Sequence, residues 1–294
     1  MEPITHNNKD QKLDLSIFKK KLAAKTDLLL PLDVAMELLD QLYEFEFGRF
    51  LLVNKGLNGY WTSYAILHGI KKENLKPLEN WLLHRAPAVK ATRERFQIFN
   101  TQLQKYLRND IKIASIPCGL MDDLYTLDYT NLKNIKLIGI DIDQESLDFS
   151  NKNSKEYDLQ NVKHLKKDAW DLGVKEEYDI IASNGLNIYE SDDNKVINLY
   201  KEFYKALKTE GILITSFLTP PPGISKESTW RNYDPEDAIK QKVIFSDIIG
   251  VTWQAFQSEE QARKQLENAG FFVLKVIYDS QGMFPAIIAK KLYS

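Results

Sequence analysis

Apolar residues recur at helical spacing through the first 110 positions and in short β-branched runs after them. Leu13, Ile17 and Leu22 predict an amphipathic helix over residues 13–25. Val34, Met36, Leu38, Leu39, Leu42, Phe45 and Phe50 predict a longer one over residues 32–53. Pro31 stands at its start and Gly56 past its end, the asymmetry that helices favour. A further helix is predicted over residues 88–107, preceded by Pro87. No strand alternation comes before Ile111. Residues 1–110 therefore read as a helical cap, polar and mobile at 1–12, and residues 111–294 as an α/β domain.

The domain opens with KIASIPCGLMDDLYTLDY, a short linker, then KLIGIDID. Two β-branched runs flank a tight loop and a helix, and the second run ends on acids. This is the start of a βαβ unit that holds a nucleoside at the carboxyl ends of parallel strands. The loop is expected to offer backbone N–H groups to a polar ligand. Asp141, about 22 residues after Gly119, is placed to accept hydrogen bonds from both hydroxyls of a ribose.

The order of segments resembles a class I S-adenosylmethionine-dependent methyltransferase over about 180 residues. The family's first motif, an acid followed by alternating glycines, falls on residues 115–121. Only Gly119 keeps its glycine; Ser115 replaces the acid, and Pro117 and Met121 replace the outer glycines. Asp122 or Asp123 can substitute for the lost charge. LIGIDID (137–143) resembles the ribose-binding strand end, and KKDAWDL (166–172) the segment that surrounds adenine. YDIIASNGLNIY (178–189) resembles the fourth strand and the loop facing the transferred methyl. FYKALKTEGILITSF (203–217) and the run from 269 to 291 resemble the remaining strands of the family's mixed sheet.

The resemblance implies a Rossmann-like, seven-stranded α/β sheet with helices on both faces, here beneath an N-terminal all-helical cap. It implies S-adenosylmethionine as cofactor and S-adenosylhomocysteine as product. By position, the cofactor-binding residues are Ser115, Pro117, Cys118, Gly119, Asp141, Ile142, Asp168, Ala169, Trp170, Ser183 and Asn184.

Two irregular segments bear on the substrate. Residues 54–69 carry Asn/Gly turns before Tyr60, Trp61 and Tyr64; these rings either enter the core or attract a sulfonium cation. Arg85 is a candidate partner for a carboxylate of cofactor or substrate, or a surface arginine. Residues 218–258, too long for a simple connection, form an insertion rich in aromatic residues, Trp230 among them. Cap and insertion meeting over the strand ends would enclose a pocket. Tyr189, after the fourth strand, is a further substrate-side candidate. No residue declares itself a general base, and the catalytic residues stay unassigned; His68 and His84 read as structural or exposed.

The chain has 294 residues, 44% of them hydrophobic and 27% charged, with net charge −2. That balance suits an ordinary globular protein and gives no basic footprint for nucleic acid. One cysteine excludes an internal disulfide and suits the cytoplasm. No signal peptide, membrane-spanning run, metal-ligand spacing, P-loop or dinucleotide glycine pattern is present. The expected function is methylation of a small molecule at a carboxyl or hydroxyl oxygen. A protein or RNA methyltransferase, and a binding protein that keeps the fold without catalysis, are the alternatives. The oligomeric state is left open, with a dimer through a cap helix as one option.

Overall fold

The computed structural model describes residues 13–292 except 158 and 160. The segment 1–12, expected to be mobile, lies outside the described residues.

The cap begins with α1 (Leu15–Ala23), whose N-terminus is capped by Asp14 accepting from Ser16 N. The helix expected over residues 32–53 is two helices, α2 (Leu32–Tyr43) and α3 (Glu46–Asn54). Phe45 between them is extended, at φ −128° and ψ 154°, and its ring is buried. The break lets α3 fold back onto the end of α2, and Gly48 permits the approach: a Cβ there would lie 2.0 Å from Leu42 O. The left-handed residue ending α3 is Lys55, not Gly56. Next come α4 (Gly59–Ser63), a π-helical turn (Tyr64–His68), a 3-10 turn (Gly69–Lys71), α5 (Pro77–His84) and α6 (Pro87–Tyr106).

The strands are β1 (Lys112–Ser115), β2 (Lys136–Asp141), β3 (Val162–Lys166), β4 (Tyr178–Ser183), β5 (Leu207–Ser216), β6 (Phe271–Ile277) and β7 (Ala286–Lys291). They form the expected seven-stranded mixed sheet in the order β3-β2-β1-β4-β5-β7-β6. Only β7 runs antiparallel to its neighbours, β5 and β6. Helices α7 (Asp122–Tyr125), α8 (Gln144–Glu156), α9 (Asp193–Ala206), α10 (Pro235–Lys242) and α11 (Glu259–Asn268) complete the chain, with a 3-10 turn at Asn187–Tyr189 and a π-helical turn at Val243–Ile249. The central strands are buried on both faces, which is why they read as continuous apolar runs.

One face of the sheet packs on Val196, Leu199, Tyr200 and Phe203 of α9 and Leu266 of α11. The other packs on Phe99 and Leu103 of α6 and on Leu124, Tyr125 and Leu147. Helix α6 thus belongs to the sheet at its C-terminal half and to the cap at its start. β1 pairs with β2 on one side and β4 on the other, so the strand order reverses here. A crevice opens above the carboxyl ends at such a reversal.

The insertion at 218–258 is closed at its base, where Gln257 N donates to Leu218 O. Its Val243, Ile244, Phe245, Ile248, Ile249 and Val251 share one core with Leu39, Leu42, Phe47, Leu51 and Trp81 of the cap. At the seam Asp237 accepts from Trp81 Nε1 at 2.7 Å and from Arg85 Nε at 3.1 Å. Removing that carboxylate leaves the indole N–H buried and unpaired. Asp237→Ala should lose about 1–3 kcal/mol of stability, read as a lower urea midpoint; no change would show that the seam carries no energy.

Candidate functional site

A cavity of about 560 Å³ lies over the strand ends. Its floor comes from the segments after β1, β2, β3 and β4. Its roof comes from the cap, with Phe47, Leu51, Asn58, Gly59, Ile66, Leu82, Val89, Arg95 and Phe96 among the residues, and from Phe245 and Trp253 of the insertion.

The β1 loop sits directly under the cap. Gly119 is left-handed at φ +49°, and a Cβ added to Gly59 would lie 2.7 Å from Gly119 Cα. Ser115 Oγ donates to Asp123 Oδ2 at 2.8 Å, so a carboxylate from α7 occupies the place the strand end leaves vacant. Asp123 is buried, and burial pushes its carboxyl up to about 7, with the neighbouring Asp122 charge adding to the rise. The loop was expected to offer amides to a ligand. Its Ile116, Cys118, Gly119 and Met121 N–H groups instead donate to Ala182 O, Ile140 O, Asp141 Oδ2 and Cys118 O. They shape the loop and orient Asp141. Burial, then the charges of Asp141 and Asp123, pushes the Cys118 thiol up, so it stays protonated.

Asp141 accepts from Gly119 N at 2.9 Å and Asp143 N at 3.0 Å. Burial raises its carboxyl, and no described cation pairs with it. A carboxylate has about four acceptor positions, so capacity remains. Asp168 accepts from Trp170 N at 3.0 Å, and Trp170 Nε1 donates to Lys195 O at 2.9 Å, which fixes the indole as a wall. Asn184 Oδ1 is buried and has no hydrogen-bond partner among the described residues. Tyr189 also lines the cavity, and burial pushes its hydroxyl up to about 12.

Ser115, Pro117, Cys118, Gly119, Asp141, Ile142, Asp168, Ala169, Trp170 and Asn184 therefore surround one space. Ser183 is buried in β4 and does not line it. Of the substrate-side candidates only Tyr189 does. Trp61 stacks on Phe47 at 5.3 Å, and Tyr64 donates to Glu79 Oε1 at 2.6 Å. Tyr60 packs on Phe149, Arg85 on Asp237, and Trp230 donates to Thr219 Oγ1 at 3.0 Å. In residues 54–69 the side facing the cavity is Leu57, Asn58, Gly59, Thr62, Ser63, Ala65 and Ile66.

Arg95 was not singled out from the sequence. It follows Ala91 and precedes Phe99 at i±4, on the buried stripe of α6. An arginine at that register was the available signal.

Asp122, Asp123, Asp141, Asp143 and Asp168 gather at the β1–β3 end of the cavity, and Arg95 lies beside Gly185 after β4. Among the described residues, no helix is long and apolar enough to cross a membrane.

A methyltransferase-domain family matches residues 108–271. A solved structure of a possible exported protein from Bordetella parapertussis is 41% identical, covers 94% of this chain and 93% of its own, and superposes at TM-score 0.90. An O-methyltransferase candidate from Nostoc punctiforme is 16% identical over 86% of this chain and 71% of its own, at TM-score 0.54. The [4+2]-cyclase SpnF is 14% identical over 69% and 82%, at TM-score 0.52. The last two share the fold alone. No curated protein matches the sequence.

Asp123 yields a test independent of any ligand. Its folded pKa, about 7, lies above its unfolded value, so the folded protein holds the proton more tightly. That contribution to stability is fully present below about pH 4 and is lost as pH rises to the folded pKa. Asp123→Asn should therefore gain stability relative to the native protein between about pH 5 and pH 8, in urea unfolding. A difference that is constant with pH would contradict the assignment.

Proposed function

The chain belongs to the class I S-adenosylmethionine-dependent methyltransferase superfamily, and from that premise we propose that it methylates a carboxyl or hydroxyl oxygen of a small molecule inside the covered cavity. The carrying observation is the cover: a space of about 560 Å³ partly roofed by cap and insertion. That volume falls within the roughly 300–1,000 Å³ of small-molecule sites, whereas protein or RNA would need an open groove.

The residues present fit the cofactor. Asp141 is a half-buried carboxylate with no ion-pair partner among the described residues and with free acceptor positions, suited to ribose hydroxyls. Asp168, Ala169 and Trp170 would surround the adenine. Asp123, held by Ser115, would meet the methionine ammonium, and Asn184 Oδ1 has acceptor capacity for the same end. When bound, the cofactor supplies a methyl group activated on a sulfonium. The protein's work is to orient the acceptor and to exclude water. No histidine is among the residues found lining the cavity. A carboxylate acceptor needs no base, whereas a hydroxyl acceptor would draw on a cavity carboxylate such as Asp123 or Glu190. We place the reaction in the cytoplasm on the single, buried cysteine, although the Bordetella relative is named a possible exported protein.

Fold alone does not fix chemistry, so binding and turnover are both needed. By calorimetry the native protein should bind S-adenosylmethionine, and Asp141→Ala should weaken binding by about tenfold or more, as loss of charged hydrogen bonds implies. Unchanged affinity would remove Asp141 from the ribose site. With a labelled methyl donor and cell extract, label should enter the small-molecule fraction. Label in protein or RNA would contradict the proposal.

A further inference from the structure

Arg95 is a charge in an unusual setting. It is 6% exposed and lies in the cavity lining. Its Nε and Nη1 are buried with no hydrogen-bond partner, and no described carboxylate lies within ion-pairing distance. Arg93, two residues earlier on α6, shows the contrast: it donates to the carbonyls of Ala65, Ile66 and Leu83. The groups whose charge acts on Arg95 are Tyr189 and then Asp279, and Asp279 already accepts from the amides of Gln281, Met283 and Phe284. The Arg95 guanidinium also sits 4.8 Å from the centroid of Phe284.

The surroundings hold the guanidinium in place. A Cβ on Gly185 would come within 3.1 Å of Arg95 Nη1, so the absent side chain leaves the room the guanidinium uses. Gly185 is also left-handed, at φ +87°. A buried cation left without a counter-charge is costly, and two unpaired donors add to that cost. An anion in the cavity beside the guanidinium would supply the missing counter-charge, and a planar carboxylate matches its fork.

We propose that Arg95 is the receptor for a carboxylate on the methyl acceptor, so that the substrate is an organic acid with an apolar body. This rests on the methyltransferase reading above. Position separates the acceptor from the cofactor. In the sheet order, Asp141 and Asp168 follow β2 and β3, on one side of β1. Arg95 contacts Gly185 after β4 and Phe284 before β7, on the other side. Charge agrees: the acids gather where a cationic cofactor would lie, and the unpaired cation stands opposite. The other lining cations are engaged, Lys167 with Leu172 O and Lys195 with Glu190. Phe96, Phe245 and Trp253 supply an apolar wall for the rest of the acid.

The test measures binding of benzoate and octanoate, and of their neutral amides, to the full chain with and without S-adenosylhomocysteine, by tryptophan fluorescence or calorimetry. The native protein should bind at least one acid about tenfold tighter than its amide. Arg95→Gln should lose that preference, and Arg95→Lys should recover only part of it, because lysine lacks the fork. S-adenosylhomocysteine affinity should change less than about twofold in both variants. If the native protein binds S-adenosylhomocysteine but shows no preference for either acid, the proposal falls while the methyltransferase reading stands. A cofactor affinity that drops about tenfold in Arg95→Gln overturns it by assigning the guanidinium to the cofactor. Failure of the native protein to bind S-adenosylhomocysteine removes both. The native acid-over-amide comparison decides the matter even if a variant fails to fold.

Discussion

The contact of Gly59 with Gly119 is the constraint on which the site depends. Two backbones meet there with no side chain between them, and a Cβ on Gly59 would strike both Gly119 Cα and Ser146 Oγ at 2.7 Å. The contact lowers the cap onto the β1 loop and removes water from above it. Burial of Asp123 and Asp141 follows, and with it the upward push on both carboxyls. Four of the loop's amides are spent within the protein. They turn to Ala182, Ile140 and Asp141, and the loop becomes a rigid shelf that orients a carboxylate.

Enclosure gives the charges their weight. In a water-filled groove, five aspartates and one arginine would interact weakly across the site. Under a lid of Phe47, Leu51, Phe245 and Trp253 the local dielectric falls and each unpaired group is destabilising. Asn184 Oδ1 and the two Arg95 nitrogens are such groups. Both residues line the cavity, where a bound ligand can supply the missing partner. The seam that holds the lid is built the opposite way, with Trp81, Arg85 and Ala88 donating to Asp237 and Gln241.

Much of this was legible in the sequence because the sheet's demands are local. Strand stretches buried on both faces must be largely apolar, so the runs at 137–141, 178–183 and 211–216 announced themselves. The placement of Asp141 and Asp168 was legible because one ends β2 and the other lies two residues past β3. What stayed hidden depends on contacts between distant segments. The break at Phe45 needs Gly48 to meet Leu42 O, which periodicity does not report. The aromatics at 60–64 were left between core and ligand; helical register turns Trp61 and Tyr64 onto Phe47 and puts Leu57, Gly59, Thr62 and Ile66 among the residues facing the cavity. Arg85 looked free because its partner, Asp237, lies 152 positions away. Arg95 was masked by Arg93 and Glu94, which make that stretch of α6 look solvated.

A crystal structure of the native protein soaked with S-adenosylhomocysteine tests the central claim most directly. The ribose hydroxyls should lie within hydrogen-bonding distance of Asp141, with the adenine against Trp170 and the sulfur turned toward Asn184. The space beside Arg95 should remain free for an acceptor. Density for the ligand outside the cavity, or with its ribose away from Asp141, would contradict the account.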